Sequence, residues 1–352
     1  MKTNLSFIFS GIKDVRPSAS KRRLFLFMGN HPSWAGMGSI LYEREKVFRQ
    51  SIRETSELIR EIASTDILPD FQGKGTTGFF EQYTSNMYIV HAIQMAFADL
   101  WKSRHIFPAA TLGSSLGEAS ALYAAGGISR RDVVRWVTGL VLSLREYDTE
   151  FTLMVVKAGF RDPVFDKCAG LVYPFCEWNK TATLSLCHQQ ELDRADEFLR
   201  RHHISWERPG LKRLMVPVHT SLFELKAAHL EKYYQVIEPL PTTCDFYSCT
   251  LGRKVPAAAT VPCSLFERML VSPIFFHSTF RLALQDKVDA IVNPGNYAFK
   301  YEFEQEDGTG KAAVPAVFNS ISLSRPDEAG YFEENHRALK KHLSRGWRRY
   351  FQ

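Results

Sequence analysis

Long hydrophobic runs are missing from this chain of 352 residues. Its apolar stretches are short and interrupted by charged side chains, whereas a membrane-spanning helix needs about 20 mostly apolar residues in succession. The first residues, Met1 to Lys13, also lack the apolar core of a secretory signal peptide. These absences argue against membrane insertion and against export. We therefore predict a cytoplasmic protein that makes no contact with a membrane.

Cysteines are few, and their spacing does not suit a metal. No two of the six form a C-x-x-C pair, which argues against a structural zinc site and against a disulfide framework. We therefore predict no bound metal. The six residues are Cys168, Cys176, Cys187, Cys244, Cys249 and Cys263.

A strong excess of one charge is also absent. The net charge is +6, whereas nucleic-acid-binding proteins usually carry a larger excess with interleaved aromatic side chains. We therefore predict no contact with nucleic acid. Two groups of arginines are consistent with a solvated surface, and they would also steer an acidic protein partner. These groups are Arg130, Arg131 and Arg135, and Arg345, Arg348 and Arg349.

Apolar residues make up 45% of the chain, which is enough for a sizeable core. Their periodicity predicts strands that alternate with helices, as in an α/β fold with a mostly parallel sheet. Residues 152–216 differ from this pattern. Strands at Leu153 to Val156 and around Ala182 to Leu186, with a helix from Gln189 to Arg201, predict a small α+β insertion with a split β-α-β sheet.

The sequence Gly113-Ser114-Ser115-Leu116-Gly117 is a candidate site of chemistry. A strand-like run, Phe107 to Leu112, precedes it, and a helix-like run, Ala119 to Ala125, follows. A G-x-S-x-G at such a junction is typical of a nucleophile elbow, which exposes one serine hydroxyl in a tight turn. The spacing selects Ser115. An ordinary glycine-rich turn is the alternative.

Further motifs occur in a fixed order along the chain. The segment from Phe27 to Gly38, F-M-G-N-H-P-S-W-A-G-M-G, resembles the F-P-G-Q-G-S-Q-W-x-G-M-G that opens malonyl-CoA:acyl-carrier-protein transacylases and polyketide synthase acyltransferase domains. Gly113 to Glu118 is similar to their G-H-S-x-G-E. Several ordered motifs are more specific than one serine turn, so we expect a divergent, stand-alone member of this family. The later stretches that resemble it are Val216 to His219, Tyr247 to Gly252, Leu270 to Pro273, and Pro294 with Gly295.

The resemblance implies an α/β-hydrolase-like large subdomain with an inserted ferredoxin-like small subdomain and an active site in the cleft between them. We expect the large subdomain at residues 24–151 and 217–325 and the small one at 152–216. An N-terminal extension at 1–23 and a basic C-terminal tail at 326–352 complete the chain. The implied reaction is ping-pong transfer of an acyl group to the phosphopantetheine thiol of an acidic acyl carrier protein. Acyl-CoA or acyl-phosphopantetheine is then the substrate, no cofactor is bound, and the protein is a monomer.

The resemblance also implies roles for individual residues. A serine hydroxyl needs a base within hydrogen-bonding reach, and histidine has a suitable pKa. His219 corresponds to that base and Ser115 to the nucleophile. The backbone N–H groups of Leu116 and Asn30 correspond to the oxyanion hole. The backbone carbonyl of Met269 corresponds to the group that orients the histidine.

One departure from the family concerns the acyl group. The arginine that holds a malonyl carboxylate corresponds here to Leu140. Burying a carboxylate against leucine would cost several kcal/mol, so we predict an acyl group without a free carboxylate. His31 is hypothesised to replace, in part, the family histidine that is Ser114 here. The residues expected to line the acyl pocket are Met87, Ser114, Leu140, Val216, Val218 and His31, and plain core packing is the alternative for some of them.

Three functions are consistent with these residues. The preferred one is an acyltransferase that acts in trans on a carrier protein in polyketide, nonribosomal or related biosynthesis. The second is an editing acyl hydrolase that passes the acyl group to water. The third is a carrier-docking protein that has lost catalysis, which the changes at Asn30, Met87, Ser114 and Leu140 keep open.

Overall fold

The computed structural model describes residues 22–29, 34, 36–72, 83–144, 150–209, 216–223, 233, 235–294, 315–322 and 325–344. Ten strands lie within these ranges: β1 (Arg22–Phe27), β2 (Ala110–Gly113), β3 (Phe151–Val156), β4 (Tyr173–Glu177), β5 (Thr183–His188), β6 (Trp206–Glu207), β7 (Asp245–Ser248), β8 (Arg253–Val255), β9 (Val288–Asn293) and β10 (Ala316–Asn319).

The described helices pack on both sheets. They are α1 (Ser39–Arg44), α2 (Lys46–Ala63), α3 (Leu68–Phe71), α4 (Tyr83–Ser103), α5 (Gly117–Ala124), α6 (Arg130–Leu144), α7 (Val164–Lys167), α8 (Leu192–Arg201), α9 (Leu265–Val271), α10 (Phe276–Gln285) and α11 (Glu328–Ser344). A short 3₁₀ turn at Gln189–Glu191 leads into α8.

The larger sheet confirms the predicted α/β class. Its strand order is β10-β9-β1-β2-β7-β8, and every neighbouring pair is parallel except β7 and β8. Strands of a parallel sheet covered on both faces are apolar along their whole length. β1 fits this rule, because Leu24 to Phe27 are fully buried. The carboxyl ends of β1 and β2 lie side by side, with Phe27 opposite Gly113.

The smaller sheet is antiparallel and lies within residues 151–207. Its strand order is β4-β5-β3-β6, and its elements follow the chain as β-α-β-β-α-β, the connectivity of a split β-α-β sheet. β3 to β6 therefore form the predicted α+β unit. The sequence also predicts a strand that leads into Val218. This strand lies partly outside the described residues, and Val218 and His219 form a turn.

The two sheets are joined at Ile274. Its backbone N–H donates to the carbonyl oxygen of Phe175 (2.8 Å), and its own carbonyl oxygen accepts from the N–H of Glu177 (2.8 Å). The segment before α10 thus extends the β4 edge by one parallel bridge to Cys176. This segment also carries the backbone that surrounds His219, so the small unit is connected directly to the candidate site.

The C-terminal segment, expected as a basic tail, packs on the core in its described part. Its described part forms α11, in which Phe332 and Leu339 are fully buried. The ring of Phe332 lies 4.7 Å from that of Trp101, centroid to centroid. The apolar residues of this segment therefore complete the core. The remaining residues, 345–352, lie outside the described part of the chain.

The described helices include none that is both long and apolar enough to cross a membrane. Within the same residues, no three histidine, cysteine, aspartate or glutamate side chains are grouped as a metal site would require.

Candidate active site

Ser115 lies in a tight turn between β2 and α5. Its φ is 55°, a left-handed conformation that costs a non-glycine residue about 1–3 kcal/mol and is often found at functional sites. Backbone hydrogen bonds hold the turn closed: the N–H of Ser114 donates to Phe27 (2.9 Å), that of Gly117 to Ser114 (3.0 Å), and that of Glu118 to Ser115 (2.9 Å). The chain therefore forms the strand-turn-helix geometry of a nucleophile elbow.

The two flanking glycines leave no room for a side chain. A Cβ on Gly113 would lie 2.2 Å from the Cα of Glu118, and one on Gly117 would lie 2.2 Å from the carbonyl oxygen of Phe27. Gly29 faces the serine from the neighbouring strand end, and a Cβ there would lie 2.8 Å from the Cβ of Ser115. The glycines of the motif are thus required by close approach of two backbones.

His219 lies beside Ser115 although 104 residues separate them in the chain. Its Nε2 is 2.8 Å from the Oγ of Ser115. The histidine has a positive φ of 65° in a turn, where its N–H donates to the Leu270 carbonyl oxygen (2.5 Å) and the Thr220 hydroxyl donates to Pro217 (2.6 Å). The structure thus brings together the two residues expected to act as nucleophile and base.

Burial controls the charge of His219. The side chain is 3% exposed, and this desolvation lowers its pKa to about 4, since burial disfavours the charged form. The imidazole is therefore neutral at pH 7. Because Nε2 faces a hydroxyl, it can accept the serine proton when Nδ1 carries the ring hydrogen.

The predicted contact between His219 and the Met269 carbonyl is not formed within the described residues. The nearby backbone group is that of Ser272, which favours the protonated ring and partly opposes the fall in pKa. No acceptor in the described part of the chain has hydrogen-bonding geometry to Nδ1. Phe175, from the small unit, stacks on the ring at 6.2 Å and 17°. Packing against Phe175 therefore holds the imidazole ring, while the Leu270 hydrogen bond holds the His219 backbone.

Of the two predicted oxyanion donors, only Leu116 lies within the described residues. The hydrogen bonds of the described residues leave the backbone N–H of Leu116 unused, as a site for an oxyanion requires. Asn30, the expected second donor, and His31, expected beside the acyl pocket, both lie outside the described residues.

Glu118 connects the elbow to the turn after β7. Its carboxylate is fully buried and accepts hydrogen bonds from the Ser248 hydroxyl and from the N–H (3.1 Å) and hydroxyl (2.8 Å) of Thr250. Burial raises its pKa to about 7, although these donors act in the opposite direction. The last residue of the motif is therefore a buried anchor beneath the elbow.

The described residues of the expected acyl pocket belong to, or pack against, the hydrophobic core. Met87, Leu140 and Val216 are each 1% exposed and share a hydrophobic cluster with Leu116, and Val218 packs against it. Ser114 is also buried. Leu140 is thus a buried member of this apolar cluster.

Each arginine of the first group pairs with a carboxylate. Arg130 is largely buried and pairs with Asp99 (2.6 Å), while Arg131 pairs with Glu61 (2.6 Å). Arg135 pairs with Asp132 (3.1 Å). Each guanidinium is thus neutralised by its own carboxylate. The second group, Arg345, Arg348 and Arg349, lies outside the described residues.

Two further side chains reach the elbow without belonging to a motif. His91 and Gln94 are buried in α4, and they contact the carbonyl oxygens of Leu116 (3.0 Å) and Met28 (2.8 Å) respectively. Their polar identity within the mostly apolar stretch from Met87 to Ala98 was the available signal. Their partners, 25 and 66 residues away, were not predictable from the sequence.

Comparison with known proteins gives relatives of low identity. The chain is 23% identical over 271 residues to the squalestatin hexaketide synthase clz14 of Cochliobolus lunatus, which covers 74% of the chain and 10% of that protein. It is 31% identical over 121 residues to the mycoketide-CoA synthase of Mycobacterium tuberculosis, which covers 34% of the chain and 3% of that protein. The chain thus spans a tenth or less of these relatives.

Solved structures share the fold over most of the chain. A loading acyltransferase of the avermectin modular polyketide synthase superposes with a TM-score of 0.77 at 19% identity, covering 90% of this chain and 99% of that one. An acyl carrier protein S-malonyltransferase of Vibrio cholerae superposes with a TM-score of 0.66 at 19% identity, covering 78% and 90%. The acyl transferase domain family matches residues 24–293, more than half of the chain, and the chain therefore belongs to the acyl transferase domain family.

Proposed function

We propose that this protein transfers an acyl group without a free carboxylate to or from the phosphopantetheine thiol of an acyl carrier protein, through an acyl-Ser115 intermediate. The observation that carries the proposal is the contact of 2.8 Å between the Ser115 hydroxyl and the neutral His219 ring, at an elbow built to present that hydroxyl. Membership of the acyl transferase domain family supports the reaction class.

The geometry suits a ping-pong sequence. The Ser115 oxygen attacks the thioester carbonyl carbon while His219 Nε2 takes the hydroxyl proton. The tetrahedral oxyanion accepts hydrogen bonds from the N–H groups of Leu116 and Asn30. Its collapse breaks the carbon–sulfur bond, and His219 returns the proton to the leaving thiolate. The second thiol attacks the serine ester by the reverse route.

The burial of Leu140 in an apolar cluster supports a neutral acyl group. A malonyl carboxylate at this position would lose its hydration without gaining a guanidinium, at a cost of several kcal/mol. The three arginines that precede Leu140 in α6, at positions 130, 131 and 135, already pair with carboxylates. Acetyl and longer aliphatic groups carry no such cost, so they are the proposed substrates.

The partner and setting follow from the reaction class. The donor or acceptor is an acyl-CoA or an acylated carrier protein of polyketide, nonribosomal or related biosynthesis. No metal or resident cofactor takes part in the proposed steps. An acidic carrier surface, a monomeric protein and a cytoplasmic location stay predictions from the sequence.

The test follows the acyl group after it reaches Ser115. The protein is mixed with a panel of acyl-CoAs and phosphopantetheinylated carrier proteins, and the masses of both proteins are measured over time. Acyl transfer to a carrier is the expected result, and it is lost in Ser115→Ala. Release of the free acid instead would indicate an editing hydrolase. Absence of any adduct would indicate a carrier-docking protein, and either outcome would overturn the proposal.

A further inference from the structure

Two buried side chains of α4 hold the backbone on either side of Ser115. The Nε2 of His91 lies 3.0 Å from the carbonyl oxygen of Leu116, and the Nε2 of Gln94 donates to the carbonyl oxygen of Met28 at 2.8 Å. Residues three apart lie on one face of a helix. One rigid helix therefore contacts two chain segments that approach each other at the nucleophile.

These segments carry the expected oxyanion donors. Leu116 follows the nucleophile, and its unused N–H is the first donor. Met28 precedes Gly29, whose Cβ position lies only 2.8 Å from the Cβ of Ser115, and Asn30 comes next in the chain. When the ring hydrogen of His91 is on Nε2, hydrogen bonds to the two carbonyl oxygens restrain the peptide planes next to these donors. The precision of an oxyanion hole depends on such restraint.

Core packing alone does not explain the two polar side chains. His91 is 2% exposed and Gln94 is fully buried, in a helix whose neighbouring side chains are apolar. Burying an amide or imidazole is unfavourable unless its polar atoms are paired, and the Oε1 of Gln94 makes no hydrogen bond within the described residues. An apolar residue at position 94 would avoid the cost of burying this unpaired oxygen. The hydrogen bond from Nε2 to Met28 is therefore the interaction that only the glutamine provides.

We propose that His91 and Gln94 are positioning residues that hold the Leu116 and Met28 backbone segments at a fixed separation across Ser115. The role rests on the serine chemistry of the proposed function. Neither side chain touches the reacting atoms. Each acts through the backbone segment whose carbonyl oxygen it contacts.

The two ring nitrogens of His91 have different partners, so this positioning role can be distinguished experimentally from ordinary stabilisation of α4. Nδ1 lies 2.8 Å from the carbonyl oxygen of Met87, one turn earlier in the same helix, and Nε2 faces Leu116. Burial lowers the pKa of His91 to about 4, so the ring carries one N–H at pH 7 and donates to one of the two oxygens. Glutamine places its amide nitrogen where Nε2 lies, and asparagine places it where Nδ1 lies.

The experiment measures the reactivity of Ser115 with an alkyl fluorophosphonate. In that reaction the serine oxygen forms a bond to phosphorus, fluoride leaves, and the hydroxyl proton passes to His219. The phosphoryl oxygen occupies the oxyanion hole. The variants are His91→Asn, His91→Gln and Gln94→Met, whose side chain is similar in length but has no donor. Trp101→Phe is the matched control, because it removes one buried hydrogen bond of α4 to Ser320 (2.8 Å) far from the elbow.

We expect His91→Asn and Gln94→Met to lower the maximal labelling rate by about ten- to a hundredfold, with little change in the half-saturating probe concentration. His91→Gln and Trp101→Phe should stay within about threefold of the unsubstituted protein. Equal rates for His91→Asn and His91→Gln, or an unchanged rate for Gln94→Met, would overturn the inference. If His91→Asn does not fold, the comparison of Gln94→Met with Trp101→Phe decides.

This readout separates the inference from the proposed function. If the unsubstituted Ser115 is labelled and the variants lose labelling, the positioning role stands even when no carrier protein is acylated. If labelling is equal in all variants while acyl transfer proceeds, the proposed function stands and the positioning role fails.

Discussion

Substitution of Gly29 by alanine tests the close approach of the two backbones at the nucleophile. The backbone conformation of Gly29 is open to alanine, so the only change is the added methyl group. That carbon would lie 2.8 Å from the Cβ and 3.2 Å from the Oγ of Ser115, whereas non-bonded carbons prefer about 3.5–4.0 Å. The overlap is about 1 Å, and the elbow cannot retreat because Gly113 and Gly117 are already packed against backbone atoms.

The serine oxygen must therefore move relative to His219. A displacement of about 1 Å can cost about a hundredfold in rate, and overpacking costs about 1–3 kcal/mol in unfolding free energy. We expect Gly29→Ala to acylate Ser115 about a hundredfold more slowly in a single-turnover assay read by intact-protein mass.

The matched control is Gly127→Ala. Its Cβ would lie 2.4 Å from the Cδ1 of Leu122, a comparable overlap beyond the other end of α5. This variant should lose stability in urea but acylate within about threefold of the unsubstituted rate. An unchanged rate in Gly29→Ala, or an equal loss in Gly127→Ala, would refute the steric reasoning.

Three further predictions concern buried groups. Leu140→Arg should raise malonyl loading of the serine at least about tenfold relative to acetyl loading, since a guanidinium can pair with the carboxylate; an unchanged ratio would contradict the acyl-group proposal. Burial lowers the pKa of His91 and of His219 from the ordinary value of 6.5 to about 4 in the folded protein. Each histidine therefore contributes stability that is present above pH 6.5 and is lost as the pH falls towards 4. The loss is on the order of 3 kcal/mol for each histidine. The pKa of Glu118 is raised to about 7, so its contribution to stability changes with pH in the opposite direction. Urea unfolding of His91→Phe should therefore be compared with that of the unsubstituted protein at each pH. An equal pH dependence of the unfolding free energy in the two proteins would refute the histidine contribution. Glu118→Ala should lower the unfolding free energy by about 2–4 kcal/mol, because it leaves the Ser248 and Thr250 donors without their acceptor; a loss below about 0.5 kcal/mol in urea would show that the carboxylate is not an anchor.

The sequence predicts the elbow well because its determinants are local. Five residues at a strand-to-helix junction specify the turn, and the steric contacts of Gly113 and Gly117 explain why the pattern needs glycine. Element ends are less predictable. The strand expected from Phe107 begins at Ala110, and Phe107 is an apolar residue that lies 43% exposed at the surface. The apolar periodicity predicts one helix from Glu43 to Ala63, but the helical structure is interrupted at Glu45, which is extended.

Contacts between distant segments account for what the sequence does not predict. The backbone group near the His219 ring is that of Ser272 and not that of Met269. The segment that contains Ser272 is hydrogen-bonded to the β4 edge through Ile274. Arg130 pairs with Asp99, which lies in another helix. Such pairings arise only in the assembled fold, so composition and periodicity do not predict them.

The central claim is that Ser115 accepts an acyl group without a free carboxylate. The most direct measurement exposes the protein separately to acetyl-, hexanoyl- and malonyl-CoA, records the intact mass, and locates the adduct by peptide fragmentation. We predict an acetyl or hexanoyl adduct on Ser115 that is absent from Ser115→Ala, and little malonyl adduct. Preferential malonyl loading, or an adduct on a residue other than Ser115, would contradict the account.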